Sequence, residues 1–160
     1  MKKLLILLIA LICLTGAALA EEDDPWEGMD RVFVLCQPDS YVTVRSSPKK
    51  AYNEIGYGWA GNEYYTDWKE RNGYLHIYGT FEAGEGWIKK NYVSIWEPEI
   101  YPEGKTFTVA VKKVNCRQYI GGRRKGTLKK GAEVTVWVES AEWCVTNRGY
   151  IRTEYLEEKP

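Results

Sequence analysis

Histidine is nearly absent from this chain, whose 160 residues include only His76. One imidazole excludes His-rich metal centres and leaves a Ser-His-Asp triad a single residue to be built on. Excess charge of either sign is missing too. Lys and Arg total 22 against 22 Asp and Glu, which argues against a nucleic-acid binder working by bulk charge. No Gly-rich phosphate loop occurs, and no Cys-x-x-Cys pair that would make a zinc site. No two carboxylates are placed by sequence across a cleft for glycoside hydrolysis. Cys36 and His76 share no context that would pair them as nucleophile and base. His76 lies in Tyr74-Leu-His-Ile-Tyr78, an alternating segment, and reads as an exposed strand residue. The expectation is a protein that is not an enzyme, with no cofactor and no metal.

Aromatic residues are abundant. There are 7 Trp, 12 Tyr and 3 Phe, the first of them Trp26. Small β-rich domains with aromatic surfaces carry this composition, and helical bundles rarely do.

The long apolar run, Leu4 to Leu14, follows Lys2 and Lys3 and precedes Ala18-Leu19-Ala20. This is the pattern of a signal peptide over residues 1–20, cleaved before Glu21. An uncleaved anchor is the competing reading. The run is short for a bilayer span, and the flank after it, Glu21 to Asp24, is acidic. The mature chain is expected to be secreted, extracellular or associated with a cell wall, with an acidic leader over residues 21–30 and no stable membrane span. Export leaves Cys36, Cys116 and Cys144 in an oxidising compartment. Cys116 and Cys144 fall on two predicted strands of the same half and are the preferred disulfide. Cys36 would then be free or joined to a second chain. The alternative is three reduced, buried thiols acting as small hydrophobes.

Two segments share one spaced pattern. The first runs Tyr41-Val-Thr-Val-Arg45, Ile55-Gly56, Gly61-Asn-Glu-Tyr64 and Gly86-Trp-Ile-Lys-Lys-Asn-Tyr-Val93. The second runs Lys113-Val-Asn-Cys-Arg117, Lys125-Gly126, Gly131-Ala-Glu-Val134 and Gly149-Tyr-Ile-Arg-Thr-Glu-Tyr-Leu156. The spacing from Gly56 to Gly61 equals that from Gly126 to Gly131, and the closing octets align without a gap. Such a tandem repeat sets the architecture. Apolar residues alternate within each copy, glycines punctuate at turn-like intervals, and no helical period is sustained. The prediction is all-β: two tandem small barrels over residues 31–97 and 106–160, joined by a linker over 98–105 marked by Pro98, Pro102 and Gly104.

The order and spacing of these pieces resemble the bacterial SH3 domain, SH3b, in both copies. The first copy departs by a longer insertion between Tyr74 and Trp87, with Thr80–Glu85 as an extended hairpin tip. The octet Gly86–Val93 also looks like the closing strand and short helical turn of eukaryotic SH3 domains. Lys89 stands where that motif has Pro, so the resemblance gives a proline-ligand groove little support. The SH3b resemblance implies an exported binding module that targets peptidoglycan or another wall component.

Candidate ligand-binding residues come from two features. The first copy holds more aromatics than a small barrel buries. By repeat position Tyr74 and Trp87 go to the core, as do Trp143 and Tyr150; of the other aromatics in the first copy, Tyr52, Trp59, Trp68 and Tyr92 are the better groove candidates. Ordinary strand packing is the competing reading for each. In the second copy no acidic residue occurs between Glu103 and Glu133, and Gly121-Gly-Arg-Arg-Lys-Gly126 predicts a mobile basic loop carrying Arg123, Arg124 and Lys125. A merely solvated face is the competing reading there. Together these predict a secreted, non-catalytic protein binding the bacterial envelope: aromatics for wall peptide or glycan, basic residues for an anionic wall polymer. An extracellular protein–protein adaptor or inhibitor using the same aromatic surface is the alternative. Nucleic acid is not an expected partner, because only Tyr119 accompanies the basic run.

Overall fold

The computed structural model describes residues 26–50, 53–79 and 84–159. The expected signal peptide, the first half of the expected acidic leader, Tyr52 and residues 80–83 of the expected hairpin tip lie outside them.

The fold is all-β. The first copy contains β1 (Asp30–Val34), β2 (Tyr41–Arg45), β3 (Glu54–Trp59), β4 (Glu63–Thr66), β5 (Glu70–Arg71), β6 (Tyr74–Tyr78), β7 (Glu85–Lys89) and β8 (Val93–Ser94). The second contains β9 (Glu99–Val109), β10 (Lys113–Arg117), β11 (Arg124–Lys129), β12 (Glu133–Glu139), β13 (Trp143–Thr146), β14 (Gly149–Arg152) and β15 (Leu156–Glu158). The first sheet runs β3-β2-β7-β6-β4-β1-β8, with β5 beside β6, and the second runs β11-β10-β14-β13-β12-β9-β15. Strand for strand the two orders are the same, and all pairings are antiparallel. Each sheet is open, with no pairing between its two end strands among the described residues.

Smaller features repeat as well. A turn of 3-10 helix, Lys90–Tyr92 in one copy and Thr153–Tyr155 in the other, precedes the last strand. The register shifts at Val44/Arg45 and at Cys116/Arg117. The glycine heading each octet has a steric cause. A Cβ on Gly86 would come within 2.7 Å of Val44 Cγ1 and 3.2 Å of the Arg45 carbonyl oxygen. At Gly149, with φ +111°, it would overlap the carbonyl oxygen of Arg117, the residue equivalent to Arg45.

The alternating strands put Val42, Val44, Val114, Cys116, Val134, Val136 and Val138 inside. Each sheet encloses its own core, one around Val32, Val34, Val44, Leu75, Ile77 and Ile88, the other around Phe107, Val136, Cys144 and Ile151. A third cluster joins the copies. Leu35, just after β1, is fully buried among Val138, Trp143, Val145 and Tyr150. The outer face of β13 is thus covered by the first copy, which is why all of Trp143–Thr146 is buried.

Three expectations are corrected. Residues 99–105 are not a linker but the first part of β9, where Ile100 pairs with Val138 and Lys105 with Val136. The register shift between Val136 and Val138 bulges β9 there, and Pro102 and Gly104 (φ +76°) sit in that bulge, where a missing donor and a left-handed backbone are tolerated. Cys116 and Cys144 are free thiols, as is Cys36, and all three are buried. The pairs Arg117↔Tyr150 and Cys144↔Ile151 place β14 between the two cysteine strands. Two strand spacings of about 4.8 Å exceed the 4.4–6.8 Å Cα separation a disulfide spans. Burial pushes the Cys36 thiol up to about 11, with Asp39 adding to it, and the Cys144 thiol up to about 12. Finally, His76 is buried, with 8% exposure, rather than exposed. Its ring lies 4.7 Å from those of Trp87 and Tyr78, and its Nδ1 is 3.2 Å from Asp67 Oδ1.

Candidate binding cleft

The contact between the copies leaves an open cleft of about 830 Å³. One wall comes from β2, Lys89 and the 3-10 turn of the first copy. The other comes from the β10–β11 turn and the β13–β14 hairpin of the second. Among the described residues five tyrosines line it, Tyr41, Tyr74, Tyr92, Tyr119 and Tyr150, with Arg45, Lys50, Lys89 and Lys125 and no acidic residue. Tyr92 lies at the junction, its ring centroid 6.0 Å from that of Tyr119 and 6.1 Å from that of Tyr150. Burial raises the Tyr92 hydroxyl above the usual phenol range, so it stays protonated as a hydrogen-bond donor. Lys89 Nζ sits 4.1 Å over the Tyr74 ring. Arg45 is tied to Glu54 at 3.4 Å and to Asn53 at 3.3 Å.

Among the predicted residues, the cleft brings Tyr92 and Lys125 together from different copies. Trp59, Trp68, Arg123 and Arg124 lie elsewhere. Trp59 is exposed on β3, its centroid 5.4 Å from that of Tyr41, which in turn meets Tyr57 at 4.5 Å. This aromatic group stands at the rim, since Tyr41 also lines the cleft. Trp68 faces a separate apolar groove of about 470 Å³, which it shares with Trp96 and Trp143. It adopts φ +59°, and its Nε1 donates to Asp30 Oδ2 at 2.6 Å. Arg123 and Arg124 are exposed outside the cleft. The basic segment is not the expected loop from Gly121 to Gly126, because Arg124, Lys125 and Gly126 belong to β11, where Arg124 pairs with Arg117 and Gly126 with Cys116. Of the residues assigned to core by repeat position, Tyr74, Trp143 and Tyr150 are buried, and Trp87 is half-buried over His76.

Sequence reasoning missed Tyr41, Tyr119 and Lys89 and placed Tyr150 only in the core. These residues become neighbours through the contact between copies, which an alignment of one copy with the other does not reveal.

The hairpin faces beside the cleft differ sharply. On β2–β3 the outward pairs are Tyr41↔Trp59, Thr43↔Tyr57 and Arg45↔Glu54. On β10–β11 the same positions hold Lys113↔Lys129, Asn115↔Thr127 and Arg117↔Arg124. One backbone device carries aromatics and an ion pair in the first copy, and two opposed cation pairs in the second.

No protein-family model matches the chain, and no curated protein matches it. Among solved structures it is similar to NlpC1 from Trichomonas vaginalis, at 17% identity and a TM-score of 0.36 over 84% of this chain and 48% of that one. It is similar also to NlpC2 from the same organism, at 16% identity and a TM-score of 0.35 over 82% of this chain and 48% of the other. The chain thus spans just under half the length of either, and at these TM-scores the likeness assigns nothing to it.

Proposed function

We propose that this chain is an exported, non-catalytic binding protein of the bacterial cell envelope, built from two SH3b-type repeats, with its ligand seated in the cleft between them. One observation carries the reading: Tyr92 of the first copy and Lys125 of the second line a single tyrosine-walled, cationic cleft. Tyrosine rings offer flat contact area at low entropic cost, and their hydroxyls offer hydrogen bonds to sugar or peptide. Such a cleft suits peptidoglycan peptide or glycan, or an anionic wall polymer. Since Leu35 and its partners hold the copies together, one composite site replaces two sites tethered by a linker.

Co-sedimentation of residues 21–160 with purified cell walls tests this. The expected result is wall binding that falls at least tenfold in Tyr92→Ala. No binding to any wall preparation would overturn it and favour the adaptor reading. That second reading draws on Tyr41, Tyr57 and Trp59, which are 47–51% exposed and contiguous. Cys36, 3% exposed, gives it no support as an interchain link.

A further inference from the structure

The β10–β11 face carries a cost that its own fold does not require. Lys113 stands directly opposite Lys129, and Arg117 opposite Arg124. Like charges in directly opposed cross-strand positions destabilise a sheet. Among the described residues no acidic side chain pairs with Lys113, Lys129, Arg124 or Lys125, although surface cations elsewhere do find partners, as Lys105 does with Glu158 at 2.7 Å and Lys159 with Glu133 at 2.7 Å. The chain between Glu103 and Glu133 offers none either.

Geometry makes these cations a track. Lys125 sits at the register shift where β11 enters the cleft, and Lys129 ends the same strand. At about 3.3 Å per residue the strand carries positive charge roughly 13 Å outward from the cleft. In the other direction, within the cleft, Lys89 and Lys50 of the first copy continue the cationic lining, with no acidic residue in it among the described residues.

Resting on the envelope-binding reading and sharpening it, we propose that this track binds a linear phosphate polyanion, a phosphodiester-linked wall polymer, threaded from the β10–β11 face into the cleft. Charge complementarity selects the occupant. Exposed cations that continue beyond the cleft lining, from Lys125 to Lys129, match a polymer charged at every repeat better than a ligand with one or two charges. Lysine ammonium groups act on phosphate as point charges, without needing bidentate geometry.

The test uses inorganic polyphosphate as probe, with poly-γ-glutamate and dextran beside it, against the wild-type chain and Lys129→Glu. The substitution replaces an opposed cation pair with an opposed ion pair, so a purely structural role predicts a more stable protein and unaltered binding. The expected result is a raised Tm together with at least tenfold weaker polyphosphate binding. The slope of log affinity against log salt should become shallower by about 0.7–0.9 for each phosphate that the variant no longer neutralises. Absence of polyphosphate binding, equal binding by Lys129→Glu, or preference for poly-γ-glutamate overturns the proposal. Wall binding that persists without polyphosphate binding removes this inference and leaves the envelope reading standing. Polyphosphate binding without wall binding overturns the envelope reading and, with it, the wall polymer as the occupant of the track.

Discussion

The hydroxyl of Tyr150 donates a 2.7 Å hydrogen bond to the carbonyl oxygen of Leu35, buried and 115 residues away in the chain. It joins the closing octet of the second copy to the segment after β1 in the first. Burial holds the Tyr150 phenol far above its usual range, so the donor stays protonated at any ordinary pH. Beside it the Ile120 amide donates to the Asn91 carbonyl at 3.1 Å. The two copies therefore share hydrogen bonds as well as an apolar cluster.

Tyr150→Phe keeps the ring and strands the Leu35 carbonyl. A buried acceptor left unpaired costs about 1–3 kcal/mol. Urea unfolding should show that loss with one cooperative transition for both copies. Two separate transitions in the wild-type chain would contradict a shared core.

Gly149→Ala should be among the most damaging small substitutions. The new methyl meets the Arg117 carbonyl oxygen, backbone that cannot swing aside, at a φ of +111°. A loss of about 2 kcal/mol or more is expected from strain of this kind. Gly126→Ala is the control, because nothing lies within 4 Å of a Cβ there. Equal losses at both positions would contradict the steric account.

The thiols make stability fall in alkali. Their folded pKa values are raised, so the neutral-thiol contribution is complete below 9.0 and lost as pH rises toward about 11 for Cys36 and about 12 for Cys144. From pH 8 to 10 the wild type should lose about 1 kcal/mol more than Cys144→Val. Parallel pH profiles of the two proteins would be inconsistent with this. Residues 36, 116 and 144 should also resist a thiol reagent until the protein unfolds.

Asp67 gives the opposite sign. Burial would raise its carboxyl, but hydrogen bonds from the Lys69 side chain and backbone, the Tyr78 hydroxyl and His76 hold it well below the usual carboxylate range. Its contribution is present above 3.8 and is lost as pH falls below that value. Asp67→Asn should be less stable than wild type by about 1 kcal/mol at pH 7, with the difference vanishing in acid. A constant difference from pH 7 to 2 would show that the charge does not matter.

Much of the fold was legible because local signals agreed. The Val42/Val44 and Val134/Val136/Val138 alternations became inward faces, and the aligned octets became a strand followed by a 3-10 turn. The linker was misread because Pro102 and Gly104 signal a bulge as strongly as a connection. His76 was misread because strand alternation assigns one face to solvent, whereas Trp87 and Tyr78 cover it. The cleft was half legible. Tyr92 and Lys125 carry signals within their own copies, but Tyr119 and Tyr150 gain their place only from the packing of Leu35 beneath β13.

If one cleft between the copies receives the ligand, both copies must sense it together. Backbone amide NMR shifts of residues 21–160, recorded while soluble wall fragments are added, test this most directly. Perturbations are expected from both copies at once, centred on Tyr41, Lys89, Tyr92, Tyr119 and Lys125. Perturbations confined to one copy, or centred on the groove of Trp68 and Trp96, would contradict a shared cleft.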